Sequence, residues 1–191
     1  KKAYDKFVDL SVNEHKKRHL IRGDEVVQFM GVGKTDGEAK IVVIYLHGRH
    51  GDMTLAQEDL RFGGNFNRIK NLMLLNDGAY LSPDFSNFGR KGTNEIKTLI
   101  SHYAENSPDA PIIVAGASTG AVLVYRLLAD SEAAEMIDGV ILHGPLAVPS
   151  RFGRTFFDIA IFKDPAKHIP IYIGQGSSDD TVPWVTQELF L

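Results

Sequence analysis

The 191-residue sequence contains no cysteine, which excludes a disulfide framework and any thiolate zinc site, and sets no redox compartment. No apolar run approaches the roughly 18 residues that a membrane-crossing helix needs. Lysine and arginine are scattered and the net charge is −3, so no basic stripe exists to neutralise phosphates, and nucleic acid is not an expected partner. Internal repeats, low-complexity tracts and an interdomain linker are also missing. The sequence opens at Lys1 rather than Met, so cytoplasmic and periplasmic or secreted settings are both compatible. What remains is a chain with 43% hydrophobic residues, suited to one sizeable core.

Two cofactor-like signals fail on inspection. Gly31-Val32-Gly33-Lys34-Thr35 echoes the end of a phosphate-binding loop, but Gln28 stands where its first glycine is required, and Asp36-Gly37-Glu38 follows where a helix should begin. His47, His50 and Asp52 are metal-ligating types, yet no second set of ligands accompanies them. No motif calls for a cofactor or a metal.

Hydrophobic periodicity gives the organisation. Tyr4, Phe7, Val8 and Val12 recur at helical spacing ahead of the basic run His15–His19, which predicts a helix over Ala3–Leu20. Residues 1–24 are therefore read as an N-terminal helix packed on a single α/β domain over 25–191. Val26–Val32 predicts a strand, and Ile41–Leu46 is a continuous apolar run, as in a strand buried on both faces of a parallel sheet. Helices over Phe66–Leu75 and Asn94–Ala104 then alternate with strands over Ala79–Pro83 and Pro111–Ala117. A helix over Thr119–Asp130, strands over Gly139–Leu142 and Ile169–Ile173, and a helix opening at Pro183 complete the α/β order. Such an order places ligands beyond the carboxyl ends of the strands.

Three motifs fall at those ends. Gly116-Ala117-Ser118-Thr119-Gly120 joins an apolar strand to an amphipathic helix, with glycines where a β-carbon would collide with neighbouring elements, and leaves Ser118 exposed as a nucleophile. His47-Gly48-Arg49-His50-Gly51-Asp52 is a glycine-bearing turn in which the Arg49 N–H faces a reacting carbonyl. The Thr119 N–H, at a helix amino terminus, is the second donor to an oxyanion. In Gly174-Gln175-Gly176-Ser177-Ser178-Asp179-Asp180-Thr181-Val182-Pro183, the spacing favours Asp179 over Asp180 as the carboxylate that orients an imidazole. Arg49 and His50 read as a solvated pair at the cleft mouth, with recognition of an anionic substrate as the alternative. The phenylalanines of Phe62-Gly63-Gly64-Asn65-Phe66 border the acyl pocket in this reading, with Asn65 as a helix cap, and Trp184 packs at a helix start.

Over residues 25–191 these motifs resemble the α/β-hydrolase superfamily, and within it the small, minimally capped carboxylesterase and thioesterase group. The resemblance implies a three-layer α/β-hydrolase fold with a mostly parallel sheet and a short excursion between Pro149 and Pro170. It also implies acyl transfer through Ser118 on a small-molecule ester or thioester. The first motif carries one residue more than the family pattern, which leaves Arg49 a less secure donor than Thr119. In this family a histidine follows the acid after a helix and a strand, but only twelve residues follow Asp179. The base, the last strand and the last helix are therefore expected beyond Leu191. His143, after the strand that follows the Ser118 helix, is the alternative base, whereas His168 precedes a strand and belongs at the opposite end. A ligand-binding or scaffold protein that keeps the fold without turnover is the competing reading.

Overall fold

The computed structural model describes residues 8–11, 16–146 and 168–190. Seven strands, β1 (Lys16–Arg22), β2 (Glu25–Gly33), β3 (Val42–Leu46), β4 (Ala79–Pro83), β5 (Ile112–Ala117), β6 (Gly139–His143) and β7 (Ile171–Gly174), form one sheet in the order β1-β2-β4-β3-β5-β6-β7. Strands β3 to β7 run parallel, while β2 is antiparallel to both β1 and β4. Among the described residues four α-helices accompany it: α1 (Asn65–Leu75), α2 (Arg90–Asn106), α3 (Ala121–Ala129) and α4 (Ser131–Glu135).

Side-chain alternation in β3 explains the layering. Val42, Ile44 and Leu46 face a core built with Ile96, Leu99, Ile100 and Tyr103 of α2, Leu123, Val124 and Leu127 of α3, and Ala133 of α4. Val43 and Tyr45 face the other way, onto Phe66 and Met73 of α1, with Val32, Tyr80 and Ala115. Both faces of the central strands are thus covered, which is why every residue of β3 and β4 is buried.

The amino-terminal expectation is corrected. Lys16–Arg22 is an edge strand, in register from Lys16↔Gly31 to Arg22↔Glu25, and not the end of a helix. Gly23, at φ +60, turns that hairpin, and the pairing supplies backbone hydrogen bonds that helical spacing in the sequence could not anticipate. Residues 8–11 are not helical either: the Asp9 N–H donates to Asn67 Oδ1 at 3.0 Å, and Asn67 Nδ2 returns a hydrogen bond to the Asp9 carbonyl at 2.7 Å. The rest of the expected helix lies outside the described residues, as does the excursion after Pro149 up to residue 167.

Smaller corrections follow at helix ends. The helix expected to open at Pro183 is a 3₁₀ helix over Trp184–Phe190. Gly64, left-handed at φ +80, occupies the cap of α1 in place of Asn65, which is the first helical residue. Helix α4 was not anticipated. Its signal is Asp130, whose side chain accepts from the Ala133 N–H and so restarts the chain as a new helix.

Candidate active site

The parallel register sets the carboxyl ends of four strands side by side: Leu46 pairs with Gly116, Ala117 with His143, and His143 with Gly174. The loops that leave these ends enclose a cavity of about 730 Å³, within the range of small-molecule sites. Ser118, Arg49, His143 and Asp179 all lie on its wall.

Ser118 follows β5 directly and takes φ +50, a left-handed conformation that costs a non-glycine residue about 1–2 kcal/mol. Glycines two residues to either side let neighbouring elements close in on this turn. A β-carbon on Gly116 would lie 2.8 Å from Val124 Cγ2 and 3.0 Å from the Ala121 nitrogen. On Gly120 it would lie 2.3 Å from the Leu46 carbonyl oxygen. Residues Ser118–Gly120 make one 3₁₀ turn before α3 starts at Ala121. Thr119 therefore stands in the first turn of a helical segment, where N–H groups lack intrahelical acceptors. The Leu146 N–H donates to the Ser118 carbonyl at 3.0 Å, tying the turn to the loop after β6.

The second turn packs on the first. A β-carbon on Gly48 would be 3.1 Å from Ser118 Cβ and 3.6 Å from its Oγ, so only glycine lets the β3 loop approach this closely. Arg49, the next residue, is exposed at the cavity wall, and His50 turns the chain away at φ +63. His47 is buried, its Nδ1 is 2.9 Å from the Gly48 carbonyl, and its ring stacks on Phe85 at 4.2 Å. Those contacts make His47 a support for the turn. Asp52 Oδ1 accepts from the Thr54 N–H at 2.7 Å and shapes the following loop. Among the described residues no group of three or more histidine or acidic side chains is placed to hold a metal ion.

Asp179 is half-buried on the cavity wall, whereas Asp180 is exposed. Asp179 Oδ1 accepts from the Val182 N–H at 3.0 Å and the Thr181 N–H at 2.9 Å, and Oδ2 accepts from Gln175 Nε2 at 3.2 Å. These donors, the Val182 N–H foremost, hold the carboxyl below its usual range against the opposing effect of burial. Asp179 is thus an anion with a fixed direction. His143 sits between the serine and the carboxylate loops: a β-carbon on Gly174 would be 3.3 Å from its Cδ2, and one on Gly144 would be 3.4 Å from Asp179 Oδ2. Burial holds the His143 imidazole below its ordinary pKa of 6.5, which keeps it neutral. His168 is exposed ahead of the amino end of β7.

The remaining wall is largely apolar. Phe62 and Phe66, expected from their loop, line it, with rings edge-to-face at 5.1 Å. Tyr45, Leu55 and Tyr172, which sequence spacing did not single out, also contribute, as do Gln175 and Val182 of the Asp179 motif. Tyr45 alone had a signal, since alternation in β3 puts it on the face opposite Ile44 and Leu46.

No protein-family model matches this sequence, and no curated protein is similar to it at the sequence level. Solved structures are similar in shape. An α/β serine hydrolase homologue from Coxiella burnetii superimposes with a TM-score of 0.65 at 14% identity, covering 95% of this chain and 82% of that one. An α/β serine hydrolase without a lid from Xanthomonas campestris gives 0.61 at 18% identity, covering 96% and 80%. A lipase/esterase from Lactobacillus plantarum gives 0.60 at 14% identity, covering 93% and 85%. Together with the layered, mostly parallel sheet, these likenesses establish that the chain has the three-layer α/β-hydrolase fold.

Proposed function

We propose that the protein is a serine hydrolase that cleaves a carboxylic ester or thioester through an acyl-enzyme on Ser118. The observation that carries this reading is the left-handed Ser118 turn, sharing one cavity wall with the oriented Asp179 carboxylate. Ser118 Oγ attacks the substrate carbonyl carbon while its proton passes to an imidazole, and Asp179 fixes the tautomer of that imidazole and stabilises its cation. The N–H groups of Arg49 and Thr119 hold the oxyanion. The bond to the leaving oxygen or sulfur then breaks, the imidazolium returns the proton to it, and water repeats the sequence to release the acid.

The base in this proposal is the histidine that the family resemblance places after the acid, and residues 180–191 contain none. A second reading is favoured by one observation: His143 already lines the cavity and is held neutral by burial, the state a proton acceptor needs. The two differ in outcome. With the base beyond Leu191, residues 1–191 alone turn over activated esters poorly and a longer natural chain does so efficiently. With His143 as base, residues 1–191 are competent and His143→Asn abolishes turnover.

Labelling of the full-length protein by a fluorophosphonate probe tests the central claim. Ser118→Ala is expected to abolish it. Equal labelling of parent and variant refutes the nucleophile, and a full-length protein that neither labels nor hydrolyses any activated ester is the ligand-binding protein of the competing reading.

A further inference from the structure

Asp179 Oδ1 already accepts two backbone N–H groups, from Thr181 at 2.9 Å and Val182 at 3.0 Å, so Oδ2 is the oxygen left to receive an imidazole N–H. What holds Oδ2 is a side chain. Gln175 Nε2 donates to it at 3.2 Å and to the Val182 carbonyl at 2.8 Å. Gln175, Asp179 and Val182 thus close a ring of three hydrogen bonds. Oδ2 and the Val182 carbonyl can only accept, which fixes the amide orientation: a flipped Gln175 would set oxygen against oxygen twice. Gln175 Oε1 is buried and has no hydrogen-bond partner among the described residues, a cost that the bonds made by Nε2 must offset. The side chain is therefore held in this place by its N–H₂ group.

We propose that Gln175 is a positioning residue, a role that rests on the Ser118 and Asp179 reading: its amide sets the direction of Asp179 Oδ2 and tempers the charge that this oxygen presents to the imidazole. Two effects follow from its loss. The carboxylate turns more freely about its Cβ–Cγ bond, which lowers kcat because the imidazole is less well oriented. With one donor fewer, Oδ2 also stabilises the imidazolium more strongly, which raises the pKa of the base. Arg49 and His143 are the other charged or imidazole side chains on the cavity wall, Asp180 is exposed, and none of the three is bonded to Gln175. The route from Gln175 to the reacting atoms therefore runs through Asp179.

Turnover of 4-nitrophenyl acetate against pH tests this on the full-length protein, for the parent, Gln175→Met, Asp179→Asn and the double variant. Gln175→Met is close in size but has no donor. It is expected to lower kcat about tenfold and to move the acid limb of kcat/KM up by about half a pH unit. A loop that is merely disturbed loses active protein and leaves the limb in place. In the Asp179→Asn background the same substitution is expected to change kcat by no more than about twofold, because the group it acts through is gone. Gln175→Glu keeps the shape and sets a second negative charge beside Oδ2, so its limb is expected to move up further, and it decides the matter should Gln175→Met fail to fold. An unmoved limb in the variant that folds overturns the inference, as does an equal loss of kcat from Gln175→Met with and without Asp179. A fully active Gln175→Met beside an impaired Asp179→Asn refutes Gln175 alone and leaves the carboxylate reading standing. No ester turnover by the parent, or parental turnover by Asp179→Asn, fails the reading of the site and the role of Gln175 with it.

Discussion

Gly120 and Leu46 are in such close register that a β-carbon on the glycine would lie 2.3 Å from the leucine carbonyl oxygen and 2.7 Å from that of His47. Both obstacles are backbone, and the end of β3 is fixed by its pairing with β5. Gly120→Ala is therefore expected to destabilise the fold by about 3 kcal/mol. Gly116→Ala meets the Val124 side chain and the first turn of α3, contacts that yield more readily, and is expected to cost less. Denaturant midpoints for the two variants check the order. A Gly120→Ala protein as stable as the parent contradicts the account of why the Ser118 turn needs both glycines.

Asp130 does two jobs that separate by substitution. Its Oδ1 caps α4 by accepting from the Ala133 N–H at 3.0 Å, and its carboxylate receives Lys97 Nζ at 2.9 Å. Asp130→Ala loses both and is expected to cost about 1–1.5 kcal/mol; Asp130→Asn keeps the cap and should cost about 0.5 kcal/mol or less, because the ion pair is partly exposed. The hydrogen bond from Lys97, with that from Ala133, lowers the Asp130 pKa below 3.8. The folded state thus releases its proton more readily than the unfolded chain, so the ionic contribution is present above 3.8 and is lost as pH falls through the folded value. Acid titration of Asp130→Asn should show a correspondingly shallower loss of stability.

From Val26 onward the described strands were legible because each is a short apolar run closed by a turn, and the motif spacing reached the cavity with them. Ser118, Arg49 and Asp179 all stand on one wall because parallel strands deliver their carboxyl ends to one edge. The illegible parts depend on distant partners. Lys16–Arg22 is a strand only because β2 lies beside it. Gln175 reaches Asp179 and the Val182 carbonyl only after the loop closes, and Tyr45 meets Phe66 only when α1 packs on the sheet.

The choice of carboxylate is open to a kinetic comparison. Asp179→Asn retains an Oδ1 acceptor for the Thr181 and Val182 N–H groups, so the loop keeps its shape, but it removes the negative charge and sets an amide N–H₂ against Gln175 Nε2. In the full-length protein kcat is expected to fall by about 10²- to 10⁴-fold. Asp180→Asn, on an exposed side chain away from the cavity, should change it by no more than about twofold. The reverse pattern would move the role to Asp180.

His143 supplies a pH signature that needs no substrate. Burial depresses its folded pKa below 6.5, so as pH falls the unfolded chain takes up the proton first. At pH values above that, the ring is neutral in both states and adds no slope. Below about 6.5 the folded state loses stability by at most ~1.4 kcal/mol per pH unit from this group, until its own pKa is passed. Denaturant midpoints measured from about pH 8 to about pH 5 should therefore fall more steeply for the parent than for His143→Gln, the difference opening only on the acid side of 6.5. Parallel curves would mean that the ring is not held neutral by burial. They would also remove the burial half of the observation that favours His143 as the base, leaving only its place on the cavity wall.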